Sequence, residues 1–141
     1  ETAPESIKEA ISDSDLVIGS VYIVGREAPT VITKEMITLM KPGSVLVDIS
    51  IDQGGCIETS RPTTHDNPTF VYEDVVHYCV TNMPGAVPLT ATLALNEATL
   101  PYIKDLCKKG VKSALEDDRH FQNGLNVKDG KIIHPSLIGV L

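Results

Sequence analysis

Hydrophobic residues in the front of the chain fall into short unbroken runs, separated by glycine, proline and polar clusters. LVIGSVYI (residues 16–23) and SVLVDIS (44–50) have strand length and are apolar at most positions. That is the pattern of strands buried on both faces of a sheet. Between them, VGREAP (24–29) reads as a loop. Thr33 can then cap a helix that carries Met36, Ile37 and Met40 and stops at Pro42-Gly43. Strand, loop, helix, short turn and strand form a βαβ crossover, which implies a parallel sheet covered on both faces. Upstream, Pro4 with Ile7, Ala10 and Ile11 predicts an amphipathic helix broken at Ser12–Asp15. Downstream, a loop rich in Thr, Pro, His and Asp (57–69) leads to a third strand, Val75–Thr81, and then to irregular NMPGAVP (82–88).

The pattern then changes. Leu89–Ala98 and a segment from Thr99 or Pro101 to Lys109 read as two helices, with apolar residues on more than one face. Val111, Ala114 and Leu115 predict a further helix, and NVKDGKIIH a small hairpin about Asp129-Gly130. The expected organisation is residues 1–88 as the second half of a doubly wound α/β unit, and 89–141 as helical material returning into another, incomplete domain.

Composition narrows the function classes. The chain has 141 residues, 42% of them hydrophobic, and is long enough to build a core. A net charge of −7 without a basic cluster argues against nucleic-acid or anionic-membrane partners. No apolar run reaches bilayer length, and the polar start does not read as a secretory signal. Cys56, Cys79 and Cys107 form no CxxC pair and are expected to be reduced core thiols of a cytoplasmic protein, not zinc ligands.

In open α/β sheets, ligands bind beyond the carboxyl ends of the strands. Here those ends are Ser20–Ile23, Ser50–Gln53 and Thr81–Met83. Asp52 and Gln53 leave the second strand just before Gly54-Gly55, where the backbone can turn sharply. Asp52 therefore has two readings: a ligand-facing carboxylate, or an acceptor for turn N–H groups. His65, His77, His120 and His134 lack metal-ligand spacing, and surface or core packing is the default for each.

VLVDISIDQGGCIETSRPTTHDNPTF, followed by VVHYCVTNMPGAVPLTATLALNEATLPY, closely resembles the alanine dehydrogenase family of NAD-dependent amino-acid oxidoreductases, and GSVYIVGREAPTVITKEMITLMKPGS supports the match upstream. The resemblance covers essentially the whole chain. DQGG with NMPGAVP at this separation is its most specific part. It implies a Rossmann-like sheet and NAD as cofactor, with Asp52 as the active-site aspartate beside the nicotinamide. Ile49, Ser50 and Ile51 would line the cofactor. Val80, Thr81, Asn82 and Met83 would contact the nicotinamide ribose and ring. Val21 and Tyr22 would lie under the adenosine, and Val31 would approach the nicotinamide. Thr2 and Arg61 fall at positions that touch the dinucleotide. The sequence departs from the family at Ser20–Gly25, at Glu27 where lysine is usual, and at Leu89 where a basic residue is common.

The implied reaction is reversible oxidation of L-alanine to pyruvate and ammonia, with ionised Asp52 stabilising a cationic iminium. The chain contains no GxGxxG and no acid after a first strand to hold ribose hydroxyls. It is therefore expected to be one portion of such an enzyme, inactive alone, with the missing N-terminal half and further copies of itself as partners. The nucleotide domain of a proton-translocating transhydrogenase, or a non-catalytic interaction module on the same fold, are the alternatives.

Overall fold

The computed structural model describes residues 3–139, so Thr2 lies outside the described residues. The chain divides into two compact units, Glu1–Met83 and Pro84–Leu141.

The first unit holds a four-stranded sheet in the order β1 (Leu16–Gly19), β2 (Val45–Asp48), β4 (Val75–Tyr78) and β3 (Thr69–Tyr72). β1, β2 and β4 run parallel, with Val17 level with Leu46 and Leu46 level with His77. The expected α/β architecture and its three parallel strands are present.

β3 is an addition within and beyond the expected 57–69 loop. It pairs antiparallel with β4 through a two-residue turn, Glu73-Asp74, in which both residues have positive φ (49° and 59°). That backbone is what a tight hairpin demands. All three predicted strands prove shorter than their apolar runs. Val21–Ile23, Ile49–Ser50 and Cys79–Thr81 leave the ladder as strand-end loops.

One side of the sheet is covered. Helix α1 (Pro4–Asp13), the short helix α2 (Lys34–Ile37) and the segments beside them bury Ile11, Ile32, Met36, Ile37 and Met40 against Leu46, Cys56, Ile57 and Val75. The Thr33 hydroxyl caps α2 by accepting the Met36 N–H at 3.4 Å. Met40 lies past the helix end but remains buried.

Burial alternates along β2 and β4, and Leu16 and Ile18 of β1 are 55% and 57% exposed. The expected cover on both faces is thus not supplied by the described residues. Side chains alternate across a pleated strand, so half of an all-apolar run loses its cover when only one face is packed.

The second unit contains α3 (Pro88–Asp117), in which two helices meet at a kink at Gly110 (φ 75°, ψ 158°), the second of them carrying the expected Val111, Ala114 and Leu115, then α4 (Arg119–Gln122) and a hairpin of β5 (Val127–Lys128) with β6 (Lys131–Ile132). The break expected before Pro101 does not occur. Proline removes one helical N–H, and the adjoining turns carry α3 past it to Gly110. The hairpin forms as expected. Ala114 is the one fully buried hydrophobic residue described in this unit, and Leu89, Leu93 and Leu95 are each at least 60% exposed. Cys107 is exposed, against the expectation that all three thiols are core residues, whereas Cys56 and Cys79 are buried.

Candidate functional site at the strand ends

The apolar run of β2 ends on Asp48, whose side chain is fully buried. Its Oδ1 accepts the Ser50 N–H at 3.0 Å, and its Oδ2 accepts the Cys56 and Ile57 N–H groups at 3.0 and 3.2 Å and the Ser60 hydroxyl at 2.6 Å. Donors from both sides of the Gly54-Gly55 turn therefore converge on one carboxyl group. Gly55 (φ 81°) is confined by the same arrangement, because a Cβ there would stand 3.0 Å from Asp48 Oδ2. The Cys56 thiol also donates to Asp48 Oδ1 at 3.5 Å, and burial pushes that thiol's pKa up, with the charge of Asp48 adding to the effect.

With Asp48 organising the turn, Asp52 is directed elsewhere. It lies on the 3₁₀ turn Ile49–Gln53, is exposed, and accepts the Asn82 N–H at 3.2 Å through Oδ2. This bond joins the carboxyl end of β2 to that of β4. Of the two sequence readings of Asp52, turn-capping falls to Asp48 instead. A second link joins β2 to β1: the Ser50 hydroxyl accepts the Val21 N–H at 2.7 Å and donates to the Val21 carbonyl at 2.9 Å. The loop beyond β1 is also tied down, Ala28 N–H to the Gln53 carbonyl and Val31 N–H to the Cys56 carbonyl, each at 2.8 Å.

Val21, Ser50, Asp52 and Asn82 are therefore gathered along one line of strand ends by hydrogen bonds. Ile49 and Tyr22 present apolar surface, 49% and 67% exposed, while Thr81 and Met83 are partly buried. Ile51 and Val80 turn their side chains into the core at 5% and 0% exposure. The Arg61 guanidinium stacks on the Phe70 ring, 4.3 Å from its centroid.

His77 is a packing residue. It is fully buried and stacked against Phe70 at 4.8 Å, with Nδ1 bonded to the Val75 carbonyl and Nε2 to the Thr59 hydroxyl. Because a carbonyl only accepts, Nδ1 carries the proton and Nε2 accepts from Thr59. Burial lowers the pKa of this ring.

Sequence reasoning missed Asp48, for which an acid closing an apolar run was the available signal. It also left His65 to default packing. His65 Nε2 bonds the Asn82 carbonyl at 3.1 Å.

Parallel strands of an α/β sheet with polar groups gathered at their carboxyl ends, as in β1, β2 and β4, are the arrangement of nucleotide-binding α/β domains. The family model for "Alanine dehydrogenase/PNT, C-terminal domain" matches residues 1–135, and the chain belongs to that family. It is 58% identical to the alanine dehydrogenase of Halomonas elongata over 130 residues, covering 92% of this chain and 35% of that one. It is 52% identical to the alanine dehydrogenase of Mycolicibacterium smegmatis over 127 residues, covering 90% and 34%. A solved L-alanine dehydrogenase superposes with a TM-score of 0.79 at 47% identity, over 98% of this chain and 38% of its own. A transhydrogenase from Sinorhizobium meliloti gives 0.71 at 25% identity, over 95% and 36%. The chain thus spans about a third of the length of the relatives it matches.

Proposed function

We propose that this chain supplies the nicotinamide-facing part of the nucleotide domain of an NAD-dependent L-alanine dehydrogenase. The reaction is oxidation of L-alanine, with NAD and water, to pyruvate, ammonia and NADH. The observation that carries the reading is the Asp52–Asn82 bond between two strand ends, which sets an exposed carboxylate beside an Asn within a family-matching sequence.

The donor set fits one end of the dinucleotide. Ile49 and Tyr22 offer apolar surface to a planar ring, and Asn82 and Asp52 offer an amide and a carboxylate beside it. The sequence has no glycine-rich helix N-terminus to bind a pyrophosphate. NAD, when bound, supplies the hydride acceptor. The chain's own contribution is positional and electrostatic: Asn82 and Met83 orient the ring, and Asp52 stabilises positive charge developing on the alanine nitrogen. Asp52 is also placed to orient the amine or the attacking water. Proton transfers and the clamp on the substrate carboxylate belong to the N-terminal portion, outside this chain. The exposed residues of α3 are the surface proposed to pack against that portion and against further copies in a homo-oligomer.

The test is alanine-dependent formation of NADH by the full-length polypeptide that contains these residues, with this chain alone as comparison. The full-length protein turns over and the chain alone matches a buffer blank. A full-length protein that reduces NADP at the expense of NADH, but does not oxidise alanine, supports the transhydrogenase reading. Identities of 52–58% to alanine dehydrogenases against 25% to the transhydrogenase favour the first.

A further inference from the structure

Asn82 has a positive φ of 53°, a left-handed conformation that asparagine adopts more readily than most residues. Each of the two peptide groups flanking its Cα is held by a side chain from another segment. The N–H on one side donates to Asp52 Oδ2 at 3.2 Å. The carbonyl on the other side accepts from His65 Nε2 at 3.1 Å. The orientation of the first peptide plane sets φ and that of the second sets ψ, so the pair bears on both torsions of Asn82. Beyond Asn82 the chain enters the 3₁₀ turn Met83–Ala86, and His65 is the one side chain from another segment that bonds the Asn82 carbonyl among the described residues.

His65 can act in this way because its own loop is anchored. The Thr63 N–H donates to the Cys79 carbonyl at 2.9 Å, and the Thr81 N–H donates to the Thr63 carbonyl at 3.2 Å. The Thr63 hydroxyl closes the loop on the Pro68 carbonyl at 2.9 Å, and Thr64 bridges to Asn67. His65 stands at the tip of that turn, over the end of β4. It is exposed and contributes nothing to the core.

We infer that His65 is a positioning residue for the nicotinamide end of the site, acting through the Asn82 carbonyl and not by touching substrate. The inference rests on the function proposed above, but one of its two readouts does not. In the full-length protein, His65→Ala and His65→Gln are compared. Glutamine keeps an N–H donor at about the reach of Nε2, and alanine keeps none.

The first readout is amide exchange of a peptide spanning residues 80–86, without cofactor. His65→Ala speeds exchange and His65→Gln restores the slow rate. The second is steady-state kinetics: His65→Ala lowers kcat/KM for NAD about tenfold, the scale of a small misplacement of a reacting group, with KM for alanine and the thermal midpoint unchanged. His65→Gln stays within about threefold of the parent, because donation rather than the ring is what counts. Parent-like exchange and kinetics in His65→Ala overturn the inference and leave the proposed function standing. So does equal impairment of both variants, or a loss that tracks a lower thermal midpoint. If the parent protein shows no alanine-dependent turnover, the proposed function fails, and the exchange data alone decide whether His65 holds Asn82.

Discussion

A carboxyl group with no exposed surface must exchange water for protein donors, and at Asp48 every close donor comes from the turn that follows. Four positions later, Asp52 meets one backbone N–H and solvent. The two acids respond differently to the same substitution. Asp48→Asn turns an NH2 group toward buried donors and should cost about 2–4 kcal/mol, read by chemical unfolding. Asp52→Asn, which keeps an oxygen for Asn82, should stay within about 0.5 kcal/mol of the parent. The pattern VLVDISID marks Asp48 as the acid that closes the apolar run, but which of the two acids faces inward depends on the strand ending at Asp48 and a 3₁₀ turn starting at Ile49. His77 supplies a pH signature at the same scale. Its folded pKa is lowered by burial, so protonation favours the unfolded chain, and its stabilising contribution is present above the ordinary histidine value near 6.5 and is lost as pH falls through the window below it. Thermal midpoints measured from pH 8 down to 5 should drop more steeply in the parent than in His77→Gln; parallel curves would assign the acid sensitivity to other groups.

At the scale of elements, β1, β2 and β4 were legible because parallel strands concentrate aliphatic residues, and the β5–β6 hairpin because Asp129-Gly130 announces its turn. β3 was not legible. Its turn is Glu73-Asp74, which lacks the glycine such a turn favours and sets a glutamate at positive φ, and its cross-strand partner Val75–Tyr78 looks the same whether or not a neighbour pairs with it. The mismatch between turn geometry and turn residues gives a prediction. Replacing Glu73-Asp74 with Asn-Gly should stabilise the first unit by about 1 kcal/mol, since the left-handed backbone costs ordinary residues about 1–2 kcal/mol each. The backbone carbonyl at position 74 that accepts the Gly43 N–H is retained in that variant. A lower unfolding midpoint would mean that the Glu73 or Asp74 side chain does something the backbone argument omits. Pro101 failed as a helix stop for a related reason: a missing N–H costs one bond, and the rest of α3 still propagates as far as Gly110.

At the scale of the molecule, the chain carries three bound-together strand ends and a set of helices whose apolar residues remain exposed among the described residues. No helix among them is long and apolar enough to cross a membrane. The motifs DQGG and NMPGAVP made the family legible, but spacing alone could not reveal the Asp52–Asn82 bond, which closes between residues thirty positions apart. On the proposed function, that bond places a negative charge where it faces the reacting nitrogen. The most direct test is alanine oxidation by the full-length protein carrying Asp52→Asn, together with its NAD affinity. Asparagine can still accept the Asn82 N–H, so the loop geometry survives while the charge does not. NAD affinity should stay near that of the parent while kcat falls by about a hundredfold or more, the scale of removing one electrostatic stabiliser. Near-normal turnover with the charge removed would contradict this role and reduce Asp52 to a tether between two strands.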